Sequence, residues 1–179
     1  MNKEYFDTYE LGARKKIRDW NEKSHVFDTI TDYPRNYFCD FSGTCKGHNV
    51  NIEVKIRNLN LLPDGRISGA TKSGKEYIED TIFIEDHKAC DLIFEYIANG
   101  TEPLYFNFLN DGYVALFNLK KLTKRPKEHK RLSIESKGYQ KMEIGSREGL
   151  YIKDAAIYKD GVLIKKQGEE WTNEPEPFC

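Results

Sequence analysis

Val50, Ile52, Val54 and Ile56 alternate with Asn51, Glu53, Lys55 and Arg57. That is the period of a β-strand, whose successive side chains point to opposite faces of a sheet. One face of the segment is wholly aliphatic and needs cover. The other gathers a carboxylate, an ammonium and a guanidinium on one side of one strand. Two fates are open to that polar face. It meets water, as one side of an antiparallel sheet commonly does, or it does chemistry.

The chain has 179 residues, of which 39% are hydrophobic and 32% charged. This suits one soluble domain with a real core. The start, MNKEYFDTYELG, lacks the apolar stretch of a signal peptide, and no apolar run reaches bilayer length. A cytoplasmic location with no membrane partner is therefore expected. Cys39, Cys45, Cys90 and Cys179 form no CxxC pair and no zinc-ligand spacing with histidine, so reduced thiols are expected. The net charge of −1 does not demand a nucleic-acid partner. It does not exclude one, because binding depends on where basic residues cluster.

Residues 3–20 carry Tyr5, Phe6, Tyr9, Ala13, Ile17 and Trp20 on one stripe and read as a helix. Strands are expected at 25–31, 36–45 and 50–58, followed by a long polar connection at 59–78. Ile82 to Ile84 make a short strand. Asp86 sits where an N-cap belongs, and Ala89, Leu92, Ile93, Tyr96 and Ile97 repeat with helical spacing until Gly100. That stripe is expected in the core. Lys88 is expected to face solvent, with the polar patch as the other place it can reach. Two hairpins follow: 104–109 with 113–119, and 155–159 with 162–165 across Asp160-Gly161. Between them lies the basic run KKLTKRPKEHKR. The order is α, β, β, β, α, β, then further β, which is a mixed α/β (α+β) pattern.

The turn between the second and third strands decides what joins Glu53 and Lys55. With Gly47-His48 as a two-residue loop, Lys46 faces Asn49, Ser42 faces Glu53 and Asp40 faces Lys55. Asp40, Glu53 and Lys55 then share one patch. Two carboxylates there repel each other, and a hard divalent cation relieves the repulsion. Mg²⁺ accepts one or two protein carboxylates, keeps several waters and takes substrate phosphate. Lys55 lies on the Glu53 face and is placed to steer a water, and Arg57 comes next on the same face.

Asp40, a turn, then Glu53-Val54-Lys55 on a mostly aliphatic strand resembles the core of the PD-(D/E)XK, or restriction-endonuclease-like, nuclease superfamily. The resemblance covers roughly residues 3–109 and implies a core of helix, three strands, helix and strand. It implies Asp40 and Glu53 as metal ligands, the Val54 backbone carbonyl as a further ligand, and Lys55 as the catalytic lysine. Some members add a glutamate on the first helix, for which Glu10 is the candidate. The sequence departs from the pattern in having Cys39, not proline, before Asp40.

The resulting expectation is a deoxyribonuclease dependent on Mg²⁺ or Mn²⁺. Residues 1–119 form the core domain, 120–131 a basic connection, 132–167 a β extension and 168–179 an acidic tail. DNA is the expected partner, gripped by Arg57, Lys120, Lys121, Lys124 and Arg125. A homodimer is compatible with cutting both strands of a duplex. The alternatives are an inactive nucleic-acid-binding relative of the same fold, and a protein-interaction module.

Overall fold

A computed structural model describes residues 3–34, 37–71, 73–122, 128–134 and 143–170, with side chains described outside 3–10, 128–134 and 143–148. The first helix, α1 (Lys3–Ser24), extends past the expected end. Ala13, Ile17 and Trp20 recur at helical spacing and are buried. Burying Ile17 alone contributes about 1.5–3 kcal/mol.

Strands β1 (Thr29–Asp32), β2 (Phe41–Cys45) and β3 (His48–Ile56) follow. The first two begin later than expected. Residues 25–28 and 37–40 are not strand, and Asp40 stands just before β2. The 59–78 segment is not a structureless connection. It forms a meander of β4 (Asn60–Leu61), β5 (Ile67–Ala70) and β6 (Glu76–Glu79). The Pro63-Asp64-Gly65 and Gly74 turn signals close its two hairpins, and Ile67 anchors it in the core.

Next come β7 (Thr81–Glu85) and α2 (Asp86–Asn99). Asp86 is the first helical residue rather than the cap. Glu85 takes the cap position in extended geometry, without a side-chain cap hydrogen bond. Gly100 ends the helix in the left-handed conformation, φ 72°, as its lack of a Cβ allows. Ala89 and Leu92 face the core as expected, but Ile97 is 74% exposed and falls outside the buried stripe.

The remaining strands are β8 (Glu102–Phe108), β9 (Tyr113–Asn118), β10 (Glu128–Ile134), β11 (Glu143–Tyr151), β12 (Ala156–Lys159) and β13 (Val162–Lys165). Seven strands form the main sheet in the order β1-β2-β3-β8-β9-β12-β13. Only β3 and β8 pair in parallel; every other neighbouring pair is antiparallel. A parallel pair needs a crossover, and here it holds the meander, β7 and α2. The architecture is mixed α+β, and its core keeps the order helix, three strands, helix, strand.

Each face of the main sheet has its own core. On one, Ala13, Ile17 and Trp20 of α1 pack against Ile52, Val54, Leu104 and Phe106. On the other, Ala89 and Leu92 of α2 and Ile82 and Ile84 of β7 pack against Tyr105, Ala115 and Phe117. The residues between Val50 and Ile56 that carry charge therefore lie beneath a second layer. The polar face of the opening strand is not a solvated face: Asn51 and Glu53 are 3% and 1% exposed.

Candidate active site

Glu53 and Lys55 project from β3 because the strand period sets them two residues apart on one face. Asp40 reaches them from just before β2, although by a register other than the expected one. The two-residue turn is Lys46-Gly47, with φ of 49° and 77°. Both central positions of such a hairpin turn need positive φ, and glycine at the second meets that need without strain. Cys45 thus pairs with His48 and Ser42 with Asn51, two residues along from the expected pairing. Asp40 comes to lie beside Glu53 rather than across from Lys55. A shift of two preserves the faces, so the patch survives the error.

Backbone contacts fix Asp40. Its N–H donates to the Ile52 carbonyl at 3.0 Å, and its carbonyl accepts from Tyr33 N–H at 3.0 Å. Its Oδ2 accepts from Val54 N–H at 2.8 Å. The N–H and C=O of one strand residue point to the same edge, so the Val54 carbonyl also faces the Asp40 side. Burial, followed by the negative charge of Glu53, raises the Asp40 carboxyl to about 6. The two acids sense each other in the fold. Cys39 beside them is a buried thiol pushed up to about 12 by burial and by Glu53, so it is inert packing.

Glu53 lies between two ammonium groups. Lys55 Nζ is 2.9 Å from its Oε1, and Lys88 Nζ is 3.3 Å from its Oε2. Glu53 Oε2 accepts no hydrogen bond among the described residues; the Lys88 contact is an ion pair only. Lys55 also faces Glu85 Oε2 at 3.8 Å. Burial works against the Lys55 ammonium, but Glu53 and then Glu85 outweigh it and raise its pKa. Lys55 is charged at any physiological pH. Its side chain, at 28% exposure, opens towards solvent, as that of Glu85 does.

Arg57 lies on the same face, but its guanidinium turns inwards. Nε donates to Asn107 Oδ1 at 3.1 Å, and one terminal nitrogen donates to the Phe83 carbonyl at 2.6 Å and to the Tyr105 hydroxyl at 2.5 Å. Tyr105 OH donates in turn to Phe83 O at 2.9 Å. These bonds tie β3 and β8 to β7. Asn107 is fully buried, and its Nδ2 has no hydrogen-bond partner among the described residues. It pairs with Lys55 across the parallel β3–β8 register.

The other expected residues lie elsewhere. Lys120 and Lys121 are exposed in the short 3-10 turn Leu119–Leu122. Lys120 pairs with Glu102 at 3.4 Å and sits over the Tyr96 ring. Lys124 and Arg125 fall outside the described residues. Glu10 belongs to α1, with its side chain outside the described set.

The sequence gives no role in the site to Glu85, Tyr105 or Asn107; Lys88, expected in solvent with the polar patch as its other place, is at the patch. One usable signal was present. Asn107 is the polar residue inside the apolar run LYFNFL, and a polar side chain there has to meet partners. Nothing local marks Lys88 or Glu85, because only the packing of β7 and α2 over the sheet brings them to Glu53.

Among the described residues, no group of three or more His, Cys, Asp and Glu is placed to hold a metal. Mg²⁺ needs fewer protein ligands than that, because water completes its shell. The chemistry present suits it: two mutually repelling carboxylates, a carbonyl on the same edge and a buried carboxylate oxygen without a hydrogen bond.

No family model and no curated protein matches the chain. Among solved structures it is similar to Hjc, a Holliday junction resolvase of the archaeal hyperthermophile Archaeoglobus fulgidus. That match has 14% identity and a TM-score of 0.41, over 78% of this chain and 95% of the other.

Proposed function

We propose that this chain is a divalent-metal-dependent nuclease that hydrolyses DNA phosphodiester bonds. The observation that carries the reading is the placing of Asp40, bound to the Val54 N–H at 2.8 Å, beside the Glu53–Lys55 ion pair. The Asp40 carboxyl is raised by burial first and by the Glu53 charge second, and an ammonium stands 2.9 Å from Glu53. In this proposal Asp40, Glu53 and the Val54 carbonyl hold Mg²⁺ or Mn²⁺. When bound, such a cation acidifies a water and offsets negative charge growing on the phosphodiester.

The chain's own groups do the rest. Lys55, kept charged by Glu53 and Glu85 and open in part to solvent, orients the attacking water and faces the developing charge. Glu85 holds the Lys55 ammonium from the far side. Arg57 positions Tyr105 and Asn107 beneath the site through its three hydrogen bonds. Lys120, Lys121 and the basic residues that follow meet backbone phosphates. Lys55→Ala is expected to keep divalent-cation binding and to lower the cleavage rate by about 100-fold or more. Cleavage at the wild-type rate in that variant would refute the assignment.

A second reading has its own support. Both Glu53 oxygens already face lysines, a self-neutralised arrangement that also suits a fold kept for DNA binding alone. It predicts salt-sensitive DNA binding without turnover in any divalent metal.

A further inference from the structure

We propose that Lys88 is a resident counter-ion of the site, which a divalent cation must displace from Glu53 in order to bind. The inference rests on the metal-site reading above and concerns how that site is kept when no metal is present.

Lys88 lies in the first turn of α2, on the layer that covers β3. Its ammonium is 3.3 Å from Glu53 Oε2 and donates to the Tyr37 carbonyl at 3.0 Å. A carboxylate that is 1% exposed has little water to stabilise its charge, so it needs a cation. Lys55 serves one oxygen, and Lys88 serves the other without completing a hydrogen bond to it. That oxygen is satisfied electrostatically yet accepts no hydrogen bond among the described residues. Lys88 therefore stands beside the oxygen that a cation would need, held to Glu53 by charge rather than by a directed bond.

The second contact extends the consequence. Tyr37 precedes Asp40 by three residues in a segment without regular structure. One ammonium thus bridges α2, the Glu53 strand and the segment that carries Asp40. Moving it aside for a cation frees the Tyr37 carbonyl, so metal binding and the setting of the Asp40 segment are linked through Lys88. Two like charges cannot share one carboxylate oxygen in a poorly solvated site without a large repulsion. Lys88 thereby lowers the affinity for the cation, and its removal must raise it.

The test is Mn²⁺ affinity, measured by titration calorimetry without DNA on the full chain. Wild type is compared with Lys88→Met, Lys88→Arg and Glu53→Gln. Lys88→Met keeps the length and apolar stem of the side chain and is expected to bind Mn²⁺ roughly tenfold more tightly or better. Lys88→Arg restores the charge and is expected to return the affinity towards wild type. Equal or weaker binding by folded Lys88→Met, with Glu53→Gln abolishing binding, overturns the role of Lys88 and leaves the metal site standing. Undiminished binding by Glu53→Gln overturns the underlying site itself. If Lys88→Met does not fold, Lys88→Gln carries the same expectation. A merely structural lysine would lower affinity on removal, so the sign of the change decides.

Discussion

Asp40 concentrates the chemistry of the site in one titration. In the fold its carboxyl is raised from 3.8 to about 6, by burial first and by Glu53 second. The folded protein therefore holds a proton that the unfolded chain releases near its ordinary value. The sign follows: stability from the neutral acid is complete below about pH 4 and is lost as the pH rises through about 6. In metal-free buffer at about pH 7.5, Asp40→Asn should be more stable than wild type by up to about 2 kcal/mol and melt at a higher temperature. The amide oxygen can still accept from Val54 N–H. At about pH 4 the gain should vanish, and thermal melts across the two conditions check it. A gain that persisted unchanged at low pH would mean that the charge of Asp40 is not strained. At this scale the sequence was legible in part: Glu53 and Lys55 meet because alternation on β3 is local information, and Asp40 comes to the same strand through the β2–β3 hairpin. Arg57 shows the limit, since its inward turn depends on acceptors from β7 and β8.

Among the elements, β2 and β3 form the hairpin that makes the site, and its register was misjudged by two residues. The cause is the turn: four consecutive residues, Lys46-Gly47-His48-Asn49, allow more than one two-residue loop, and glycine at the second central position settles which. The 59–78 meander was missed because its strands are two to four residues long, too short for alternation to register. The edge of the sheet gives a sharp test of the pairing described. Gly43 of β2 faces Ile30, and a Cβ there would lie 2.2 Å from the Thr29 carbonyl oxygen. A backbone atom cannot move aside cheaply. Gly43→Ala should therefore destabilise the protein by about 2–3 kcal/mol in chemical denaturation. A neutral substitution would mean that β1 does not pack against β2 as described.

In the whole molecule, the decisive event is the closing of α2 and β7 over the polar face of β3. It turns an ordinary amphipathic strand into a buried charged cluster, with Glu53 nearly sealed and Lys55 at the opening. The sequence carried the order of the core elements, helix, three strands, helix and strand, and that order is observed with the meander inserted in it. It offered the polar patch only as the second place for Lys88 and gave Glu85 no part, because such contacts join residues thirty or more positions apart and have no local signature. The strands beyond residue 110 widen the main sheet through β9, β12 and β13, while β11 joins β7 in a second sheet. Among the described residues no helix is long and apolar enough to cross a membrane. The most direct test of the proposed activity is cleavage of supercoiled and branched DNA by wild type and Glu53→Ala, in Mg²⁺ or Mn²⁺ and with the metal chelated. Metal-dependent cleavage by wild type, lost in Glu53→Ala and on chelation, is the predicted result. Cleavage retained by folded Glu53→Ala, or none by wild type in either metal, would contradict it.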